Sequence, residues 1–148
     1  MSDLDDLYRE VLLVHSKHPE GKGDPTTLPH THHELNPSCG DEITFGLQVE
    51  DGIITDVIWD GQGCSISMAS ASVLSGLLKG APVEKAHALI EEFRHMLRAG
   101  TTKEEFEPSD DLEDAAAFQG VAKYVMRIKC AMLAWVCAEA DLAQAEAA

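Results

Sequence analysis

The chain lacks any run of 18 consecutive apolar residues, so no segment reads as a membrane-spanning helix. Cationic side chains are scarce: 11 Lys and Arg stand against 26 Asp and Glu, for a formal charge of −15. A surface with that imbalance repels phosphate backbones and anionic bilayers, which argues against nucleic acid or membrane as a partner. The N-terminus, Met1-Ser2-Asp3-Leu4-Asp5-Asp6, has no basic stretch followed by an apolar one, as a signal peptide would, and the expected location is the cytoplasm. Also missing is the paired C-x₂-C spacing of zinc fingers, because the four cysteines, at 39, 64, 130 and 137, are scattered. In a reducing compartment such cysteines are metal ligands, reactive thiols or buried small residues rather than disulfides. No internal repeat or domain boundary is visible, so residues 1–148 are expected to form one domain, with 138–148 a helical or frayed tail.

What is present is a β-rich first half and a helical second half. Leu4, Leu7, Tyr8, Val11, Leu12 and His15 recur at helical spacing, with Asp3 as a candidate cap. Residues 18–29 carry three prolines and two glycines and read as a surface loop. Ile43, Phe45, Leu47 and Val49 alternate with mostly polar residues, and Asp51-Gly52 then leads into a second β-rich run over 53–59, which predicts an antiparallel hairpin. Residues 30–35 can add a third strand before the turn at Pro37 to Gly40. From Ile66 onward the period becomes helical, and a second helix carries Ala86, Leu89, Ile90, Phe93, Met96 and Leu97 on one face. Residues 101–114 are acidic, are broken by Pro108, and read as an exposed loop. A final helix is predicted over 121–142. The expected architecture is α+β: a small three-stranded antiparallel sheet packed on about five helices.

Three cysteines sit where chemistry is plausible. Cys39 and Asp41 flank Gly40, so one turn can offer a thiolate and a carboxylate to the same point. Cys64 follows Gly61-Gln62-Gly63 and opens a helix, whose N-terminal amides favour a thiolate. Cys130 lies in the last helix, three residues after Arg127. Three sulfurs and one carboxylate suit tetrahedral zinc, could equally anchor an iron-sulfur cluster, and by spacing alone could be three separate buried cysteines.

The motifs Asn36-Pro37-Ser38-Cys39-Gly40-Asp41, Gly61-Gln62-Gly63-Cys64-Ser65-Ile66-Ser67 and Arg127-Ile128-Lys129-Cys130-Ala131-Met132-Leu133-Ala134-Trp135, in that order, resemble the three cysteine motifs of the IscU-like iron-sulfur scaffold family. The likeness extends from the first helix to about Val136. Within the family the chain is similar to the SufU-type branch. Lys129 stands where the scaffold branch carries a histidine, the segment between Cys64 and Cys130 is long, and Phe118-Gln119-Gly120-Val121-Ala122-Lys123-Tyr124 also fits that branch. The resemblance implies a bound zinc ion held by Cys39, Asp41, Cys64 and Cys130, with Cys39 accepting sulfur. It also implies a SufS-type cysteine desulfurase as partner and cluster-assembly proteins downstream. The other activity it allows is a scaffold on which an iron-sulfur cluster is built and passed on. A cysteine on a glycine-containing turn is better able to leave a metal and attack a persulfide than one fixed on a helix, which makes Cys39 the expected acceptor.

The remaining candidates carry blander expectations. Cys137 is seven residues past Cys130, about 10 Å along the helix, too far to share an ion, and reads as a buried small residue. Strand alternation points His30 and His32 one way and His33 the other, so the three do not form an obvious metal patch. Arg127 is expected either at the helix surface or beside the site, balancing thiolate charge or holding Asp41.

Overall fold

The protein is represented by a computed structural model that describes residues 3–38 and 40–147. Helix α1 (Asp3–Lys17) is followed by a loop with one 3-10 turn at Pro25–Thr27, then strands β1 (His30–Asn36), β2 (Asp41–Glu50) and β3 (Ile53–Gln62). Helices α2 (Ser65–Leu78) and α3 (Val83–Thr102), a 3-10 stretch over Asp110–Lys123, and α4 (Val125–Ala147) complete the chain. The expected α+β class holds: three antiparallel strands in the order β1-β2-β3, packed on the helices.

The sheet is set by its turns and its alternation. Asp51 and Gly52 both take positive φ, the backbone that a two-residue hairpin demands and that Gly adopts without cost. Ile43, Phe45 and Leu47 of β2 and Val57 and Trp59 of β3 point to one face and are buried there. On the opposite face Gly46 has no room for a side chain, since a Cβ would lie 2.5 Å from the Pro25 carbonyl oxygen. The loop before β1 is thus clamped to the sheet. It also follows the edge of β3, with the Gly23 amide donating to the Trp59 carbonyl and the Trp59 amide to that of Gly21.

Helix α4 lies across β1 and β2 and also packs on α2 and α3. Its Trp135 stacks on Phe93 of α3 with ring centroids 3.8 Å apart. The indole N–H donates to Ser70 Oγ on α2, and that hydroxyl donates to the Ala131 carbonyl on α4. A buried polar pair inside an aromatic core fixes α2 against α4 in one register. Cys64 at the head of α2 and Cys130 near the head of α4 therefore have fixed relative positions.

Two sequence expectations need correction. Residues 103–109 alone form the acidic connection; from Asp110 the chain winds into a 3-10 stretch that buries Leu112, Ala115, Ala117, Phe118 and Val121. It escapes a helical reading because the backbone kinks at Glu113, which has φ 48° and ψ −127°. The last helix then begins at Val125 rather than near Val121, and Tyr124 caps the preceding stretch. At the other end α4 continues to Ala147, so residues 138–147 of the expected helical or frayed tail are helix, packed as far as Leu142. Among the described residues no helix is long and apolar enough to cross a membrane.

Candidate metal centre

Asp41 and Cys64 meet because β2 and β3 are paired. The register sets Glu42 opposite Gln62. One step further Asp41 lies against Gly63, where a Cβ would stand 2.6 Å from Asp41 Oδ1. Glycine at 63 is therefore a space requirement. Asp41 is 2% exposed, an unusual place for a carboxylate, and its oxygens are engaged. Oδ1 accepts the backbone N–H of Cys64 at 3.0 Å, and Oδ2 accepts a hydrogen bond from the buried hydroxyl of Ser67. Cys64 Sγ lies 3.6 Å from Asp41 Oδ2 and 3.6 Å from Ser67 Oγ.

Cys130 arrives from the other side, buried on α4, with its sulfur 4.0 Å from the Met126 carbonyl oxygen. One donor atom from each of Asp41, Cys64 and Cys130 lies within 4.8 Å of the others. Among the described residues no other set of His, Cys, Asp or Glu gathers three donors this closely. Tetrahedral zinc with bonds of about 2.3 Å to sulfur and 2.0–2.2 Å to oxygen spaces its donors roughly 3.3–3.8 Å apart. The Cys64 to Asp41 separation already falls in that range, and the longest separation has to close by only about 1 Å. Two thiols and a carboxylate are chemically suited to that ion, and they leave one tetrahedral position to fill. Asp41 and Cys130 are buried while Cys64 is exposed, so the site opens on the Cys64 side.

Cys39, the fourth sequence candidate, lies outside the described residues. Its neighbours Ser38 and Gly40 are on the turn that leads straight into Asp41. The Asn36 side chain accepts the Ser38 amide, the Gly40 amide donates to the Asn36 carbonyl, and Gly40 takes φ +74°. Arg127 is exposed in the first turn of α4. Cys137 is fully buried away from the site, its thiol donating to the His32 carbonyl at 3.1 Å, and burial pushes that thiol up to about 12. The histidines serve other contacts. His32 binds Glu34 at 2.8 Å and Gln144, while His33, on the opposite sheet face, faces Glu42 at 3.4 Å.

Three contributors escaped the sequence reading. Ser67 and Gly63 were visible only as parts of a motif, with nothing to show that both touch Asp41. Tyr8 was assigned to the apolar face of the first helix, yet its phenol feels the site. Burial raises it to about 12, the Arg127 charge opposes that rise, and the charges of Cys64 and Cys130 add to it. The Tyr8 ring also packs edge-on against Phe118, 5.7 Å between centroids. The phenol thus stays neutral at physiological pH.

Comparison with known proteins adds to this geometry. Residues 7–131 match the family model described as the NifU-like N terminal domain. The chain is 38% identical over 148 residues to the zinc-dependent sulfurtransferase SufU of Bacillus subtilis, covering 98% of this chain and 95% of that protein. It is 39% identical over 131 residues to the iron-sulfur cluster assembly scaffold protein IscU of Thermotoga maritima, covering 87% of each. Among solved structures, a candidate iron-sulfur cluster assembly scaffold protein for the SUF system from Fervidobacterium islandicum superposes with a TM-score of 0.78 at 29% identity, over 93% of this chain and 97% of that one.

Proposed function

This chain belongs to the NifU-like N-terminal domain family, and from that premise we propose that it is a zinc-dependent sulfur acceptor. It takes persulfide sulfur from a SufS-type cysteine desulfurase and passes it toward iron-sulfur cluster assembly. The observation that carries this reading is the convergence of Asp41, Cys64 and Cys130 from three separate elements to within 4.8 Å. Cys39 is the fourth ligand in this reading and also the acceptor. Bound zinc keeps its cysteine ligands deprotonated at neutral pH and shields them from oxidation.

The transfer is a thiolate attack on a disulfide-like sulfur. The Cys39 thiolate attacks the outer sulfur of the desulfurase persulfide, the S–S bond breaks, and the desulfurase cysteine leaves as a thiolate. Cys39 then carries the persulfide. No oxidant is needed, because sulfane sulfur moves between two cysteines at constant oxidation state. Cys39 is suited to the task because its neighbours form an exposed turn with glycine at 40, whereas Cys64 and Cys130 are tied to helices. Arg127, exposed and close enough to influence Tyr8, supplies positive charge where thiolate charge accumulates.

The test combines metal analysis with sulfur mapping. Protein purified without added metal should carry one zinc per chain, and incubation with a SufS-type desulfurase and free cysteine should place an extra sulfur on Cys39, found by alkylation and peptide mass spectrometry. Cys39→Ser should abolish stimulation of the desulfurase. Extra sulfur on Cys64 or Cys130 with Cys39 unmodified would defeat the mechanism. The second reading, a scaffold that assembles a cluster, draws on the identity with the Thermotoga maritima protein. It predicts stoichiometric iron and visible colour after anaerobic purification instead of zinc.

A further inference from the structure

We infer that Ser67 is a positioning residue for the metal centre: its hydroxyl holds Asp41 in a one-oxygen binding posture and so sets how tightly the ion is held. The inference rests on the reading of Asp41 and Cys64 as ligands given above. Ser67 is 1% exposed and sits one turn into α2. Its single proton goes to Asp41 Oδ2, and its oxygen lies 3.6 Å from Cys64 Sγ. The head of α2 is unusual in a way that explains this. Its cap residue is Cys64, whose side chain makes no capping hydrogen bond. The carboxylate of Asp41, from another element, takes the Cys64 N–H, the amide that the third helical residue's side chain takes in a capping box, while Ser67 at that position turns to Asp41 instead.

Asp41 is therefore held at both oxygens. A carboxylate has about four lone-pair positions, and here one on each oxygen is already given to a donor. Gly63 leaves the room that the carboxylate occupies, because any Cβ there would collide with it. Free rotation of the carboxylate is opposed at both oxygens, by the Cys64 amide and by the Ser67 hydroxyl. A carboxylate so held presents one oxygen toward the sulfurs and cannot swing round to chelate with both. Each hydrogen bond it accepts also withdraws electron density from the donor oxygen, which tempers its grip on a cation. Such partners behind a ligand commonly govern metal affinity by about 10–100-fold.

The experiment is a competition titration of zinc against a chromophoric chelator for the wild type, Ser67→Ala, Asp41→Ala and the double variant, with the visible spectrum of the cobalt(II)-loaded proteins as a second readout. Ser67→Ala should change the zinc affinity by about 10-fold or more and shift the cobalt d–d bands as the freed carboxylate alters the coordination number. In the Asp41→Ala background the same serine change should have no further effect, because there is nothing left to position. Unchanged affinity and spectrum in Ser67→Ala would overturn the inference, as would an effect that persists undiminished without Asp41. A loss of affinity matched by an equal loss of stability in the metal-free protein would make Ser67 structural and overturn it as well. If Asp41→Ala itself leaves affinity and spectrum untouched while Cys64→Ser empties the site, the ligand assignment of Asp41 fails, a result distinct from failure of the serine's role.

Discussion

Asp141 offers a measurement decoupled from the metal. It is fully buried on α4, on the face that carries Cys137 one turn earlier, and neither carboxylate oxygen has a hydrogen-bond partner. Cys137 contributes no charge there, since burial holds its thiol near 12. Burial alone raises the Asp141 carboxyl from 3.8 to about 7. Between about pH 4 and pH 7 the native protein keeps a proton that the unfolded chain has released. The neutral carboxyl's contribution to stability is therefore complete below pH 4, falls as the pH rises, and is fully lost above about 7. Three pH units at about 1.4 kcal/mol each set a ceiling of roughly 4 kcal/mol. Asp141→Asn keeps the shape of the neutral acid and cannot ionise. Urea unfolding of zinc-saturated wild type and variant at pH 5.5 and pH 8 cancels every other titrating group. The window from 5.5 to 7 predicts that the variant gains about 2 kcal/mol on the wild type. Stability curves that stay parallel to within about 0.5 kcal/mol would refute the reasoning.

Two other substitutions test the site from opposite directions. Gly63→Ala places a methyl carbon 2.6 Å from Asp41 Oδ1 and 2.7 Å from its Cγ, so the carboxylate must move, and zinc affinity measured by chelator competition should fall at least about 10-fold while the chain stays folded. Cys137→Ser should retain one zinc per chain by metal analysis, and alkylation of the folded wild type at pH 8 should spare Cys137, whose thiol is buried, raised to about 12 and bonded to the His32 carbonyl.

Much of the fold was legible where one local rule decided it. Strand alternation named Ile43, Phe45 and Leu47 as the core face, and the Asp51-Gly52 pair named the hairpin. Helical spacing named Phe93 and Trp135, though not that they stack. Cys137 was correctly read as a packed small residue. The 3-10 stretch over Asp110–Lys123 was hidden because acidic residues, alanines and a kink at Glu113 leave no 3.6-residue period to find. The serines of α2 were hidden for another reason: their partners are remote in sequence. Ser70 joins Ala131 and Trp135, Ser72 joins His15, and Ser67 joins Asp41. Asp141 sat near the end of the predicted last helix, in the run expected to be a helical or frayed tail, and only packing shows it to be interior.

The case of Asp41 shows why residue type and spacing could nominate a ligand but not place it. A two-residue turn at Asp51-Gly52 pairs Glu50 with Ile53 and Val49 with Ile54. Continued without interruption, that register would put Asp41 opposite Gln62 and leave Gly63 and Cys64 beyond the end of β2. The register shift between Gln48 and Val49 moves the pairing by one residue, so that Glu42 faces Gln62 and Asp41 reaches Gly63 and the Cys64 amide. The unpaired residue, Thr55, lies in β3, so the bulge decides which β3 residues meet Asp41, whose face is set by its alternation with Ile43, Phe45 and Leu47, and no local signal around Gln48 announces it. Asp41, Cys64 and Cys130 are legible as chemistry, and the meeting of Asp41 with Cys64 depends on one irregular step near the turn end of the hairpin, seven residues along β2 from Asp41.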